Sequence, residues 1–403
     1  MHHVRLLAAG ALLVVAAACK KSGPRTADGC DASITVPEGF CATLLTDAAG
    51  RARHIAVRNN GDVFVARIAS RRDSGGVATL RGGTLVSFFA SPVHGLAMAS
   101  DSTLYASTRH EVIRFRFKGD SIAPRKGIDT IVTGLPGGAI PSNTIVLDQH
   151  GNLLVGIPAA TAGCEKRNPC PLLATSGGIW RFDTGKRNQT LKDGTRIATG
   201  LRAPLAIAVN PKDTSVYVVT HGPDSLHERY PQIDPIIAAT HPGDEMIRVS
   251  NFRADYGWPY CYWDVLAATR VLSPEYGGDG RTPGSCDRLT RPVMSFPAHW
   301  EPMAMVFTGK QKVPEKYRNG AFVAFHGSGH RAPLPEDGYA VAFVPFKNGV
   351  ASMEFEIVAD GFAGAMKSPA GARSRPSGLA LASDGSLYVS DDKGGRIWKI
   401  THK

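Results

Sequence analysis

A stretch from His221 to Asp264 is rich in residue types able to do chemistry. It reads His221-Gly222-Pro223-Asp224-Ser225-Leu226-His227-Glu228, then Gly243-Asp244-Glu245, then Tyr256-Gly257-Trp258-Pro259-Tyr260-Cys261-Tyr262-Trp263-Asp264. Glycine and proline fix the direction of backbone carbonyls, and carboxylates gather on either side. Hard oxygen donors of that kind suit calcium better than zinc. His227-Glu228 opens like a zinc-protease helix but runs into Arg229-Tyr230-Pro231 without a second histidine, and no close Cys or His pair has zinc-site spacing. No helical or strand periodicity crosses the stretch, so it reads as a long connection carried by a rigid scaffold.

The scaffold is legible as a repeat. A small-apolar strand, a turn containing Gly or Asp, and a second strand recur at Ile55 to Ala66, Gly95 to Ser107, Thr144 to Gly156, Leu205 to Val219, Met303 to Phe325 and Ser377 to Ser390. Alternation around a short turn predicts hairpins, and repetition at tens of residues predicts a propeller or an array. Closing six such units radially protects their edges and leaves a central channel. The expectation is an all-β, six-bladed β-propeller, closed by pairing a strand near Phe40 to Leu45 with one at Arg396 to Thr401. The interval from Leu205 to Met303 is the widest, so the chemically rich stretch is an inserted loop region at one rim, beside a ligand site at the mouth of the channel. No Gly-x-Gly-x-x-Gly follows a strand into a helix, which leaves a dinucleotide site without support.

Several long segments, in order, resemble the soluble quinoprotein glucose and sorbosone dehydrogenases, the sorbosone dehydrogenase-like branch in particular. They are the stretch above, Arg270 to Gly280, Phe325 to Pro335 (FHGSGHRAPLP) and Arg375 to Ile400. The resemblance covers most of the chain after about residue 50. It implies a PQQ-dependent oxidoreductase of sugars or sugar-derived aldehydes that binds pyrroloquinoline quinone (PQQ) and calcium and passes electrons to an external acceptor. Gly222 and Pro223 fall at the positions whose carbonyls bind the calcium, with Asp224 beside them. Arg202 and Arg375 fall at cofactor-facing arginines, and Arg331 is a third candidate; a guanidinium makes paired hydrogen bonds to carboxylates at any working pH.

The chain also departs from that pattern. The usual catalytic histidine is replaced by Ile140, which cannot accept a proton. Ala203, Gly329-His330 and Val306 stand where asparagine, Trp-Asn and lysine are usual. His221 and His326 are the candidate substitute bases, with His330 nearby. The alternative function is a non-catalytic propeller lipoprotein with a binding or assembly role.

Arg5 and the apolar run Leu6 to Ala18 lead to Cys19, the layout of a signal peptide over residues 1–18. The run is too short to span a bilayer; Ala16-Ala17-Ala18-Cys19 resembles a lipobox, so a lipid on Cys19 would be the only membrane contact. The expected division is signal peptide 1–18, lipidated linker 19–37 and propeller 38–403, in a periplasm-facing, anchored protein. Of seven cysteines, Cys19 leaves six for three disulfides. The nearest-neighbour choices are Cys30 with Cys41, Cys164 with Cys170 and Cys261 with Cys286, among fifteen connectivities. A formal net charge of +11 without basic runs interleaved with aromatics gives no support for nucleic-acid binding. There is no Cys-x-x-Cys-His, and hence no c-type haem motif.

Overall fold

The apolar runs that open the repeats place alternate side chains on opposite faces of each strand, and both faces find a partner. In the second strand of the first repeat, Val63–Arg67, Val63 and Val65 enter one core while Phe64 and Ala66 enter the next. In Leu153–Ile157, Leu153, Val155 and Ile157 face one neighbour and Leu154 the other. A strand buried on both sides reads as a continuous apolar run. Sheets of this kind must pack face to face in a ring.

The computed structural model describes residues 28–71, 73–137, 142–249 and 254–403. Cys19, the N-terminal apolar run and Ile140 lie outside the described residues. Six sheets form the blades of a propeller. Their inner strands, numbered here as blades 1 to 6, are Ala52–Val57, Leu96–Ser100, Thr144–Leu147, Pro204–Val209, Pro302–Phe307 and Pro376–Leu381. Each begins one of the six sequence repeats. Between successive blades lie six apolar cores; blades 5 and 6, for example, meet through Phe322, Phe343, Val389 and Trp398.

Phe40–Thr46 pairs antiparallel with the last strand, Ile397–His402, setting Phe40 opposite His402 and Leu44 opposite Trp398. This is the predicted closure. Inner strands approach so tightly that Gly378 has no room for a side chain: a Cβ there would lie 2.2 Å from the Arg53 carbonyl oxygen. Residues before the closing strand are also docked. Ile34 is buried in the core between blades 5 and 6, Thr35 bridges Asp360, and Asp31 accepts the Trp398 indole N–H at 2.9 Å.

The wide interval after blade 4's inner strand is the inserted region. It holds short helices at Leu226–Arg229 and Pro235–Thr240 and a hairpin of Cys261–Asp264 with Thr269–Leu272. All three nearest-neighbour disulfides are present. Cys261–Cys286 ties the hairpin to the segment after it. Cys164–Cys170 closes a second loop that packs on Trp258, and the Glu275 carboxylate accepts the Cys164 and Lys166 N–H groups, each at 2.7 Å. The two loops thus brace each other. Among the described residues no helix is long and apolar enough to cross a membrane.

Candidate functional site

The residues that converge at the channel mouth sit one or two positions from strand ends. His221 follows the second strand of blade 4, Val216–Thr220. Asp244 opens its third strand, Asp244–Val249. Glu301 precedes the inner strand of blade 5, and His326 follows Gly320–Phe325. Arg375 precedes the inner strand of blade 6, and Asp392 follows Leu387–Asp391. In each blade the chain turns at this rim just after its second strand, so one face of the ring collects them all.

Four of these groups, Glu301, His326, Arg375 and Asp392, form one network with Arg53 of blade 1. Arg53 pairs with Asp392 at 3.0 Å. The His326 ring lies between Asp392, 2.7 Å from Nε2, and Glu301, 3.4 Å from Nδ1. Arg375 reaches Glu301 at 3.0 Å and donates to the carbonyls of His326 and Gly327. Burial disfavours charge on His326, but Asp392 and Glu301 outweigh it and raise its pKa. Burial likewise opposes ionisation of Glu301, yet His326, His221 and Arg375 bring it down to about 2. Both His326 ring nitrogens face carboxylates, so both are placed to donate. That suits it to fixing Glu301 and Asp392, not to accepting a proton.

A cavity of about 230 Å³ opens beside the network. Its lining includes His221, Asp224, His299, Glu301, His330 and Arg375. His221 donates Nε2–H to the Pro302 carbonyl at 2.9 Å, because a carbonyl can only accept. In the neutral ring this bond leaves the lone pair on Nδ1. Buried His299 donates Nε2–H to the Ala238 carbonyl at 2.8 Å and turns Nδ1 to Asp224 at 3.5 Å.

Arg202 holds the turn at Gly222 to Asp224. It donates to the Gly222 carbonyl at 2.8 Å and to Asp224 at 2.5 Å. Burial works against the Asp224 charge, but Arg202, with His299 and His330, holds its carboxyl well below the usual range. Asp244 anchors the turn from beneath, accepting the N–H groups of Gly222 at 3.1 Å and Glu301 at 2.9 Å. Burial pushes its pKa up to about 6. Gly222 is required here, since a Cβ would lie 2.4 Å from the Pro242 carbonyl oxygen.

The structure thus brings together Arg202, Arg375, Gly222, Pro223, Asp224, His221 and His326. Arg331 is not among them: its guanidinium donates to the carbonyls of Pro335 and Ala298. Val306 packs toward the core between blades 5 and 6, and the Ala203 N–H is taken by Thr220 Oγ1. Sequence reasoning missed Arg53, His299, Glu301 and Asp392 and gave Asp244 no role. One signal was available: Glu301-Pro302 and Arg375-Pro376 each place a charged residue directly before the proline that opens an inner strand.

Two implied ligands can be tested against these residues. For a polycarboxylate such as PQQ the fit is chemical: Arg375, His299 and His330 line the cavity, and the nearby Arg202 Nε is buried without a partner. For calcium, the carbonyls of Gly222 and Pro223 and the Asp224 carboxylate are hard oxygens of the right kind. Arg202 holds two of these donors, so a metal would take over from its guanidinium. Among the described residues no group of three His, Cys, Asp or Glu side chains could hold a metal, which leaves backbone carbonyls as essential donors.

A family model described as TrAA12-like matches residues 34–403. The calcium structure of family AA12 carbohydrate-active enzymes from Trichoderma reesei superposes with a TM-score of 0.75 at 21% identity, covering 92% of this chain and 97% of that one. The holo form of the pyranose dehydrogenase PQQ domain from Coprinopsis cinerea gives 0.73 at 16% identity, over 91% and 97%. The apo form of the soluble aldose sugar dehydrogenase from Escherichia coli gives 0.62 at 16%, over 90% and 100%. At these identities the likenesses carry the fold alone, and they do not single out the sorbosone branch. A curated protein of Borreliella burgdorferi, described only as uncharacterized, is 23% identical over 209 residues, 51% of this chain and 48% of that protein. The chain spans about half the length of that relative.

Proposed function

The chain belongs to the TrAA12-like family, and from that premise we propose that it is a quinoprotein oxidoreductase acting on a sugar or a sugar-derived aldehyde. One observation carries the reading: the cavity at the channel mouth joins anion-holding arginine and histidine side chains to His221, a lining histidine whose Nε2 is bonded to the Pro302 carbonyl. Bound there, PQQ would supply the two-electron acceptor and calcium the Lewis acid beside it. Arg375, Arg202, His299 and His330 would hold the carboxylates. His221 would take the hydroxyl proton of the donor at Nδ1, its ring orientation fixed by the Pro302 carbonyl. Glu301, held by Arg375 and His326, would accept a second sugar hydroxyl as a positioning group. Electrons would then pass to an external acceptor.

Purified protein incubated with calcium and PQQ should acquire a bound-quinone absorption spectrum and reduce a dye when given aldoses. A spectrum identical to the sum of the separate components, with no dye reduction, sinks the proposal. Calcium alone should raise the melting temperature, because a ligand bound only by the folded state stabilises it. Calorimetry with and without chelator checks this, and Asp224→Asn should shrink the shift.

We further propose export and a lipid on Cys19. The local pairing of the other six cysteines supports an oxidising compartment. Intact mass of the protein from the membrane fraction decides it: an unmodified Cys19 removes the anchor.

A further inference from the structure

The rim opposite the candidate site carries two patches that have no part in that site. In each blade the turn after the inner strand and the turn after the third strand lie at this far rim. On blade 5 these are residues 308–319 and the segment 348–355 beyond Val341–Lys347. Lys310, Lys312, Arg318 and Lys347 are exposed there and form no ion pair among the described residues. Between them project Val350 and Met353, 62% and 76% exposed. On blade 2 the corresponding turn, 117–128, carries exposed Lys118, Arg125 and Lys126 and ends in Ile128, 48% exposed.

Blades 2 and 5 are diametrically opposite in a six-bladed ring, so the two patches form the ends of one face. The first described residue, Asp28, pairs with Lys403 at this same rim, and the Lys403 N–H bonds the Gly39 carbonyl. The described chain therefore begins and ends at this rim. The site rim differs: its exposed Ile236 and Leu266 have no Lys or Arg within three residues, and Lys367 beside exposed Met366 is paired with Asp337.

We propose that this far rim is a docking surface for an anionic lipid membrane. Unpaired lysine and arginine side chains would meet the headgroups while Met353, Val350 and Ile128 enter the boundary beneath them. Two opposed patches would seat the ring flat and turn the cavity at the channel mouth away from the lipid. The inference needs neither the cofactor nor an anchor on Cys19, and can be tested without either.

Full-length protein with Cys19→Ala is sedimented with vesicles of phosphatidylglycerol and phosphatidylethanolamine, and with phosphatidylcholine vesicles alone. Binding should favour the anionic vesicles by at least about tenfold and fall as salt rises. Lys310→Glu with Lys347→Glu, and separately Met353→Glu, should weaken it by about tenfold or more, while Ile236→Glu at the site rim should leave it unchanged. All of these positions are exposed, and an unchanged thermal melt excludes misfolding. Equal binding to both vesicle types overturns the proposal, as does binding that survives the far-rim substitutions. Charge-dependent capture of soluble heparin with no vesicle binding overturns it too, assigning the surface to a dissolved polyanion.

Discussion

Replacing His221 with alanine should lower dye-linked sugar oxidation by about 100- to 10,000-fold, the usual worth of a positioned general base. The expectation follows from one hydrogen bond. Because Nε2–H is given to the Pro302 carbonyl, that bond orients the ring, and Nδ1 would be the atom to meet the donor hydroxyl. Stability should change little, since the ring is only partly buried and the variant forgoes a single neutral bond. Free imidazole in the buffer should restore part of the rate of the alanine variant, which a merely structural histidine would not allow. His326→Gln makes the contrast: it leaves Glu301 and Asp392 without the ring that bridges them, so it should lower the melting temperature and gain nothing from imidazole. If His221→Ala keeps full activity, the proton goes elsewhere and the assignment fails.

The second large effect concerns stability. The Arg270 and Glu245 side chains are 1% and 8% exposed and meet through two parallel bonds of 3.1 and 2.5 Å; Arg270 also donates to the Thr290 carbonyl at 3.0 Å. The pair clamps the inserted hairpin onto the third strand of blade 4, directly behind the Gly222 turn. Glu245→Ala strands a guanidinium in the interior and should cost about 3–5 kcal/mol, seen as a fall of several degrees in melting temperature. Removing both charges, Glu245→Met with Arg270→Met, should recover most of that loss, because well-packed apolar side chains often replace a buried pair at little cost. A double variant no better than the single one would show that the two residues matter through separate contacts.

The parts legible in the sequence are those set by neighbours along the chain. A turn residue between two short apolar strands marks each of the six hairpins, and Cys164 and Cys170 bond a partner only six positions away. Even the closure was legible, because the strand at Phe40 precedes the first repeat and the strand at Arg396 follows the last, which leaves the two ends to meet. The charged network was not. Arg53, Glu301, His326, Arg375 and Asp392 come from three blades and meet only when the ring is complete, so no local pattern announces them. Strand parity explains the other difference: Val306 alternates with Met305 along one inner strand and faces the core between blades 5 and 6. Arg331 differs because the chain bends at Pro333 and Pro335, bringing the Pro335 carbonyl back to its guanidinium.

The pairing of Phe40–Thr46 with Ile397–His402 also sets when the molecule can finish folding. Its two halves are made at opposite ends of synthesis, so blade 6 lacks an outer strand until the first segment is recruited by the last. Contacts so remote in sequence slow folding, and until they form, blades 6 and 1 have an open flank. A chain still being made is therefore an incomplete ring. Completion waits for the final strand, whereas Cys30–Cys41 lies wholly on the N-terminal side of the seam. Deleting a few residues from the C-terminus would remove the latch itself, a far heavier loss than the same trim inflicts on most proteins.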